Sequence, residues 1–128
     1  MIINFKKLIK SFKVAFIGLW IGVREENTIR IGVIIAVFVI FFAFLFPLTN
    51  QERSIIFLCV FLVMSIELMN TQVERVTNLI DKNHNEEIKK IKDLAAGAVL
   101  MAIIGTAIVG VFIFTPHIID LFSCPCNL

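Results

Sequence analysis

Two glutamates and an asparagine stand at helical spacing directly after an uncharged apolar run. The run covers residues 54–66, and Glu67, Asn70 and Glu74 follow it. Because successive residues of a helix are about 100° apart, these three side chains and Asn78 fall within about 80° of one another. Carboxylate and amide oxygens suit Mg²⁺, and a glutamate can also accept a proton from a reacting group. The spacing therefore predicts a magnesium and proton-transfer site on one face of a helix.

The composition of the chain is that of a membrane protein. Of its 128 residues 59% are hydrophobic, and the mean hydropathy is +0.94, which is too apolar for an ordinary soluble domain. Three stretches, 31–48, 54–80 and 94–115, are candidate membrane helices. The first and third are uncharged and long enough to cross about 30 Å of hydrocarbon. The second crosses only if its helix continues through the polar face, as we call the face that carries Glu67, Asn70, Glu74 and Asn78. We expect one all-α integral membrane domain over residues 1–128.

The first thirty residues predict an amphipathic helix that lies on the membrane surface. Apolar side chains recur every three or four residues as far as Val23, whereas Lys6, Lys10 and Lys13 share another face. A basic face opposite an apolar face is typical of an interfacial helix. Trp20 also suits the depth of the membrane interface. The segment 1–30 is therefore expected to precede the three membrane helices.

The distribution of lysine and arginine predicts the orientation. Residues 1–30 carry six of them and the loop 81–93 carries four, whereas the turn 49–53 carries one and the segment after residue 115 carries none. The positive-inside rule places the N-terminus and the 81–93 loop in the cytoplasm and the C-terminus outside. A basic end on a membrane protein favours contact with anionic lipid. We expect no nucleic-acid partner, because the rest of the chain is committed to lipid.

The predicted depth of Glu67 bears on its role. Glu67 lies thirteen residues after Ser54, so it is roughly 20 Å from the outer boundary and about 10 Å from the cytoplasmic edge of the core. Glu74 lies about 10 Å further, at the water boundary. This placement suits an enzyme that meets a lipid headgroup from one side and a soluble cosubstrate from the other. The structural alternative is that Glu67 and Asn70 hydrogen-bond between helices.

Two further pairs of residues remain open between structural and chemical roles. Glu25 and Glu26 end the predicted surface helix. They either lie in a solvated turn with Arg24, or a carboxylate of this pair shares Mg²⁺ and nucleotide phosphates with Glu74. Lys92 and Asp93 begin the third membrane helix. Asp93 could cap that helix and Lys92 could extend to the headgroups. In an enzyme, the lysine would instead neutralise phosphate charge.

The third membrane helix carries a ridge of small side chains. Ala98, Ala102, Thr106 and Gly110 repeat at every fourth residue. Such a ridge allows another helix to approach closely. The ridge predicts tight packing, either within one subunit or in an oligomer.

Together, these residues resemble the prokaryotic diacylglycerol kinase family, which includes undecaprenol kinases. The family pattern on the second membrane helix is E-x-x-N-[ST]-[AS]-[hydrophobic]-E-x-x-x-D, and residues 67–78 read ELMNTQVERVTN. The third helix of the family starts Lys-Asp-x-x-[small]-[small]-Ala-Val-Leu, and residues 92–100 read KDLAAGAVL. The resemblance covers about residues 10–115.

The chain departs from the family pattern at four positions. Gln72 replaces a small residue, Asn78 replaces the usual aspartate, and Val14 stands where many relatives have a tyrosine. In the cytoplasmic loop, His84 comes one position earlier than a gapless match would give. These departures affect nucleotide affinity and loop register and leave the two glutamates of the polar face intact.

The resemblance implies a fold and a reaction. The fold is a homotrimer of three-helix subunits, each with an N-terminal surface helix, in the bacterial cytoplasmic (inner) membrane. The reaction moves the γ-phosphoryl group of ATP, with Mg²⁺, to the hydroxyl of a membrane lipid. The acceptor is diacylglycerol, which becomes phosphatidic acid, or alternatively undecaprenol, which becomes undecaprenyl phosphate.

The resemblance also implies roles for the polar face. Glu67 matches the proposed general base of the family. Glu26 and Glu74 match its metal-binding carboxylates. Asn70 matches a site amide, and Asn78, at the aspartate position, is expected to support the site with it.

A second group of residues matches the nucleotide side of the family site. Lys92 and Asp93 match nucleotide-contacting positions. Asn83, His84 and Asn85 occupy the phosphate-side loop, although on local sequence alone His84 is a solvated loop residue.

Two other classes of function are compatible with a small apolar chain. One is a small oligomeric helical membrane protein without activity, and the other is a proton-coupled transporter that uses Glu67. A transporter would usually place its carboxylate near the midplane, so the depth of the polar face disfavours it. The second acidic position at Glu26 and the Lys92–Asp93 pair disfavour both classes. No phosphate-binding loop of the GxxxxGK[ST] type occurs in the sequence, so ATP would be handled on a different scaffold.

Overall fold

The computed structural model describes residues 5–80 and 85–123, and this part of the chain folds into four α-helices. Their bounds are Phe5–Glu25 for α1, Asn27–Leu45 for α2, Asn50–Ile80 for α3 and Glu86–Ser123 for α4. The last three helices are long and apolar enough to cross a membrane. The predicted all-helical fold with three membrane-crossing helices is therefore confirmed.

The helices extend differently from the apolar stretches that predicted them. α2 begins at Asn27, four residues before the first apolar stretch, and ends at Leu45. Phe46 is extended, with φ −81° and ψ 149°, because Pro47 disfavours helical backbone at the residue before it. α3 begins at Asn50 and α4 at Glu86, each ahead of its apolar stretch. The membrane boundaries within these helices remain predictions.

α4 extends beyond residue 115, where the third predicted membrane helix ended. The helix continues through Pro116 to Ser123. A proline inside a helix removes one backbone hydrogen bond and crowds the carbonyl four residues earlier. Directly after it, Nε2 of His117 lies 3.1 Å from Oε1 of Glu52, so α3 holds the continuing turn in place.

The contacts between helices divide the molecule into two ends. α3 packs against α4 and α2, and α2 packs against α1. Arg75 of α3 binds Glu25 and Glu26, which lie at the junction of α1 and α2. Lys92 of α4 donates to Asn78 of α3. The α1–α2 junction, the end of α3 and the start of α4 therefore lie together, and we call this the site end.

The opposite end of the bundle holds the buried core. The buried apolar side chains of this cluster come from α2, the following turn, α3 and α4, and are Ala43, Leu48, Ile56 and Ile113. Nε of Arg53 donates to the Ala43 carbonyl at 3.1 Å. Thr49 and Glu52 form a reciprocal capping box at the start of α3, with Oγ1 of Thr49 accepting from the Glu52 amide at 3.2 Å. This end anchors the helices whose other ends carry the polar residues.

Two glycines allow α1 and α2 to approach α3 closely. A Cβ atom added at Gly32 would lie 2.9 Å from Sδ of Met64, and one added at Gly22 would lie 3.1 Å from Cδ2 of Leu68. Both distances are shorter than ordinary carbon contacts. The glycines therefore set the spacing of the helices on either side of the α1–α2 junction.

Most large apolar side chains on the membrane-crossing helices are exposed. Phe38, Phe41 and Phe112, for example, are each 60% or more exposed. A soluble monomer rarely exposes so much contiguous apolar surface. The outer surface of α2, α3 and α4 is therefore suited to contact with lipid or with another protein.

Candidate active site

Glu67 borders an apolar cavity between α2, α3 and α4. The cavity has a volume of about 510 Å³, and Glu67 is the one carboxylate among the described residues that line it. Aliphatic side chains such as Val39, Val60 and Val63 form most of the wall. Glu67 itself is half-buried. A proton acceptor is thus placed at the edge of a space that suits hydrocarbon.

One turn further along α3, Asn70 and Glu74 are joined. Nδ2 of Asn70 donates to Oε1 of Glu74 at 3.2 Å, as expected for polar residues four apart on a helix. Oδ1 of Asn70 is buried and has no hydrogen-bond partner within residues 5–80 and 85–123. A buried acceptor without a partner is uncommon and suits a site that receives a donor or a cation. Asn70 and Glu74 both supply oxygen atoms, which are the ligands that Mg²⁺ prefers.

Glu26 lies at the break between α1 and α2. Its backbone is extended, with φ −107° and ψ 121°, and its side chain makes no cap hydrogen bond to α2. Instead, Oε1 of Glu26 accepts from Nε of Arg75 at 2.8 Å and from Nη2 at 2.6 Å. The predicted metal ligand therefore has a guanidinium partner in this structure.

Arg75 was not among the predicted site residues. It follows Glu74 directly, so its side chain points about 100° away from that carboxylate. The helical periodicity that grouped Glu67, Asn70 and Glu74 therefore excluded it. Its proximity to Glu25 and Glu26 depends on the packing of α3 against the α1–α2 junction, which the sequence pattern does not specify.

The predicted sharing of one Mg²⁺ by Glu26 and Glu74 stays a prediction. Within the described residues, no three His, Cys, Asp or Glu side chains converge as a ready-made metal cluster. Mg²⁺ commonly keeps several water ligands and takes only one or two protein carboxylates. The donor set of Glu74 and Asn70, with Glu26 at the same end of the bundle, is compatible with such a site.

Lys92 contacts the polar face of α3. Its Nζ donates to Oδ1 of Asn78 at 2.6 Å, and the lysine is half-buried. Asp93 is exposed and lies seven residues inside α4, so the alternative that it caps this helix is wrong. Asn85 stands at the helix start instead, where its Oδ1 accepts from the Glu87 amide at 2.9 Å. α4 therefore begins at Glu86, eight residues before the predicted start at residue 94, and includes the polar segment between them.

The predicted phosphate-side loop lies partly outside the described residues. Asn83 and His84 belong to the segment 81–84, which the structure does not describe. Asn85 is described, and its side chain is engaged at the start of α4. Nucleotide contact by these three residues stays a prediction.

The polar side chains of α3 extend from the apolar cavity to the site end. Glu67 borders the apolar cavity, Asn70 and Glu74 follow one and two turns later, and Asn78 reaches Lys92. The distance along the helix from residue 67 to residue 78 is about 16 Å at 1.5 Å per residue. A lipid group at one end and a charged soluble group at the other could both contact this face.

Fold and site together define a multi-helix membrane protein in which Glu67 borders an apolar cavity and amide, acidic and lysine side chains follow towards the site end. Comparison with known proteins makes the assignment specific. The family model "Prokaryotic diacylglycerol kinase" matches residues 13–114, and the chain belongs to this family. It is therefore a lipid kinase of a bacterial membrane, and the kinase family implies ATP as its phosphate donor.

Three relatives illustrate the range of the family. The undecaprenol kinase of Bacillus subtilis (strain 168) is 36% identical over 112 residues, which cover 88% of this chain and 91% of the relative. The diacylglycerol kinase of Synechocystis sp. (strain ATCC 27184 / PCC 6803 / Kazusa) is 36% identical over 115 residues, covering 89% and 66%. The diacylglycerol kinase of Helicobacter pylori (strain J99 / ATCC 700824) is 31% identical over 119 residues, covering 93% and 90%. The similar proteins thus include kinases named for undecaprenol and kinases named for diacylglycerol.

Proposed function

We propose that this chain transfers the γ-phosphoryl group of Mg²⁺-bound ATP to the hydroxyl of a membrane lipid. One observation carries the proposal: Glu67 borders an apolar cavity and is followed on the same helix by the linked pair Asn70 and Glu74. Such a site can receive an apolar molecule and a polar one from opposite sides. The family membership supports the same reaction class.

The acceptor lipid enters the proposal at the cavity. A volume of about 510 Å³ lies within the range of small-molecule sites, so it can take part of an acyl or prenyl chain. The lipid hydroxyl then lies near Glu67, which accepts its proton as the phosphoryl group arrives. A positioned carboxylate of this kind typically contributes 10²- to 10⁴-fold to the rate.

The phosphate groups of ATP occupy the site end in this proposal. Phosphoryl transfer depends mainly on positioning and charge neutralisation. Lys92 supplies a positive charge beside Asn78, and its neutral amide partner leaves that charge available for a phosphate. Asp93 and the loop residues Asn83, His84 and Asn85 complete the proposed nucleotide contacts.

Glu26 and Glu74 are the proposed Mg²⁺ ligands, and Asn70 supports them. Their oxygen atoms match the preference of this ion. When bound, Mg²⁺ would neutralise charge on the transferring phosphoryl group. Asn70 holds Glu74 through its amide and keeps Oδ1 available, while Asn78 positions Lys92.

We further propose that the site end faces the cytoplasm and that α1 lies on the membrane surface. The ten basic residues of segments 1–30 and 81–93 favour this orientation. It gives ATP access to Lys92 from the cytosol. The C-terminus then lies outside, beyond the core at the opposite end.

We also propose a homotrimer. Exposed apolar side chains on α2, α3 and α4 support helix packing between subunits. Thr106 and Gly110 of the small-residue ridge instead line the cavity within one subunit. The α1–α2 junction would then lie near the nucleotide side of a neighbouring subunit.

Diacylglycerol is the first proposed acceptor, giving phosphatidic acid. Undecaprenol is the second candidate, because the Bacillus subtilis undecaprenol kinase aligns over nearly the full length of both chains. Both lipids present a hydroxyl at the same interface. The shape of the apolar cavity would distinguish the diacyl from the prenyl chain.

The test is transfer of labelled γ-phosphate from ATP by the purified full chain in lipid nanodiscs. Diacylglycerol and undecaprenol are offered separately, with Mg²⁺ and with excess chelator. Mg²⁺-dependent labelling of either lipid supports the proposal, and a preference identifies the acceptor. Absence of labelling with both lipids, from a helical and monodisperse protein, would contradict it.

A further inference from the structure

Arg75 binds both carboxylates at the α1–α2 junction. Its Nη2 donates to Oε2 of Glu25 at 2.8 Å and to Oε1 of Glu26 at 2.6 Å, and its Nε donates to the same Glu26 oxygen at 2.8 Å. The side chain of Glu26 is 27% exposed and that of Arg75 is 43% exposed. One guanidinium thus engages two adjacent acids from a different helix.

This contact determines the position of the Glu26 carboxylate. Glu26 is the extended residue between α1 and α2, and it makes no side-chain hydrogen bond to the start of α2. Within the described residues, the hydrogen bonds of the Glu26 side chain come from Arg75 alone. A short, charge-assisted contact of this kind is stronger than a neutral one.

A divalent cation and a guanidinium compete for the same carboxylate. Both are positive, and each is attracted by the negative charge of Glu25 and Glu26. With Arg75 in place, a cation bound at Glu26 would lie a few ångströms from a second positive charge. Repulsion at that distance remains appreciable even near a protein surface.

We propose that Arg75 is the resident counter-cation of Glu26 and that a divalent ion must displace it, so that Arg75 raises the metal concentration at which the site fills. The inference rests on the proposed function, which assigns Glu26 to Mg²⁺. The proposed site then contains residues that bind lipid and nucleotide and, in addition, one residue, Arg75, that sets the affinity for the metal. Arg75 acts through Glu26 and is a positioning residue.

The test measures Mn²⁺ binding without ATP and without an acceptor lipid. The full chain in nanodiscs is titrated with Mn²⁺, and free ion is counted from its electron paramagnetic resonance signal. Exposed ion pairs are worth up to about 1 kcal/mol, so Arg75→Met should lower the apparent Kd for Mn²⁺ by about two- to fivefold. Arg75→Lys keeps the charge but fits two carboxylates less well. The Kd of this variant for Mn²⁺ should therefore lie between those of the wild type and Arg75→Met.

Two controls isolate the contact. Arg24→Met removes the same charge from the end of α1, and the Arg24 side chain makes no hydrogen bond or ion pair within residues 5–80 and 85–123. Its Kd should change by less than the Arg75→Met variant. In the double variant with Glu26→Gln, removal of the Arg75 side chain should no longer tighten Mn²⁺ binding.

Opposite outcomes overturn the inference. If Arg75 instead orients Glu26 for the metal, Arg75→Met weakens Mn²⁺ binding. Equal affinity in wild type and Arg75→Met, with unchanged circular dichroism, also contradicts it, and Arg75→Lys serves if the methionine variant does not fold. Absence of phosphate transfer beside a tightened Mn²⁺ site would refute the kinase proposal and leave the role of Arg75 standing, so the two failures are distinguishable.

Discussion

Nζ of Lys92 donates to Oδ1 of Asn78 at 2.6 Å, which joins the start of α4 to the end of α3. An aspartate in place of Asn78 would neutralise the lysine. Asn78 orients the ammonium group and leaves its charge uncompensated. The geometry thus places a cation at the site end of the polar face, where the proposed reaction needs one.

The role of Lys92 predicts a strong effect on phosphate transfer. Lys92→Met removes a charge that stabilises developing negative charge on phosphate oxygens, so kcat/KM for ATP should fall by about 100-fold. Steady-state kinetics with varied ATP measures it. Lys89→Met, on the exposed surface of the same helix, removes an equal charge and should change kcat/KM less than threefold. Equal losses in the two variants would refute a specific role for Lys92.

The cavity beside Glu67 predicts a selective change in lipid affinity. Ala36 lines the cavity, so Ala36→Leu should reduce its volume, raise KM for the lipid and leave KM for ATP unchanged. The neighbouring Val37 is exposed and outside the lining, which makes Val37→Leu a matched control. Measurements in nanodiscs with varied acceptor content separate the two constants. A normal lipid KM in Ala36→Leu would mean that the acceptor chain does not use this cavity.

The close approach of α2 to α3 predicts a difference between two glycine substitutions. Gly32→Ala places a Cβ 2.9 Å from Sδ of Met64, whereas a Cβ at Gly18 meets no atom within 4 Å. Overpacking costs about 1–3 kcal/mol, and alanine at an open helical position is favourable by roughly 0.5–1 kcal/mol. Thermal unfolding followed by circular dichroism should therefore show a lower Tm for Gly32→Ala and an equal or higher Tm for Gly18→Ala. The reverse order would contradict this packing.

Local periodicity was sufficient to predict the helices that can cross a membrane and the shared face of the polar residues on α3. An uncharged run of sufficient length predicts a membrane helix because unpaired backbone groups are costly in hydrocarbon. The hydrogen bond from Asn70 to Glu74 follows from the i,i+4 spacing. These features depend on residues that are near one another in the sequence.

Contacts between residues that are distant in the sequence could not be predicted from local periodicity. The engagement of Glu26 by Arg75 joins positions 49 apart, and the contact of Glu52 with His117 joins positions 65 apart. Each depends on the relative height and rotation of packed helices. The predicted helix ends were wrong because hydropathy indicates which residues favour lipid and does not indicate where a helix ends. α4, for example, continues through Pro116 to Ser123.

The transfer rate of the Glu67→Gln variant tests the central claim most directly. Glutamine keeps the size and polarity of the side chain at the cavity but cannot act as a base at neutral pH. We expect kcat for γ-phosphate transfer to lipid to fall by about 10²- to 10⁴-fold, with KM for ATP nearly unchanged. Ser65→Ala removes an exposed hydroxyl bonded to the Phe61 carbonyl on the same helix and should retain activity within twofold. Full activity in Glu67→Gln would contradict the assignment of Glu67 as the base.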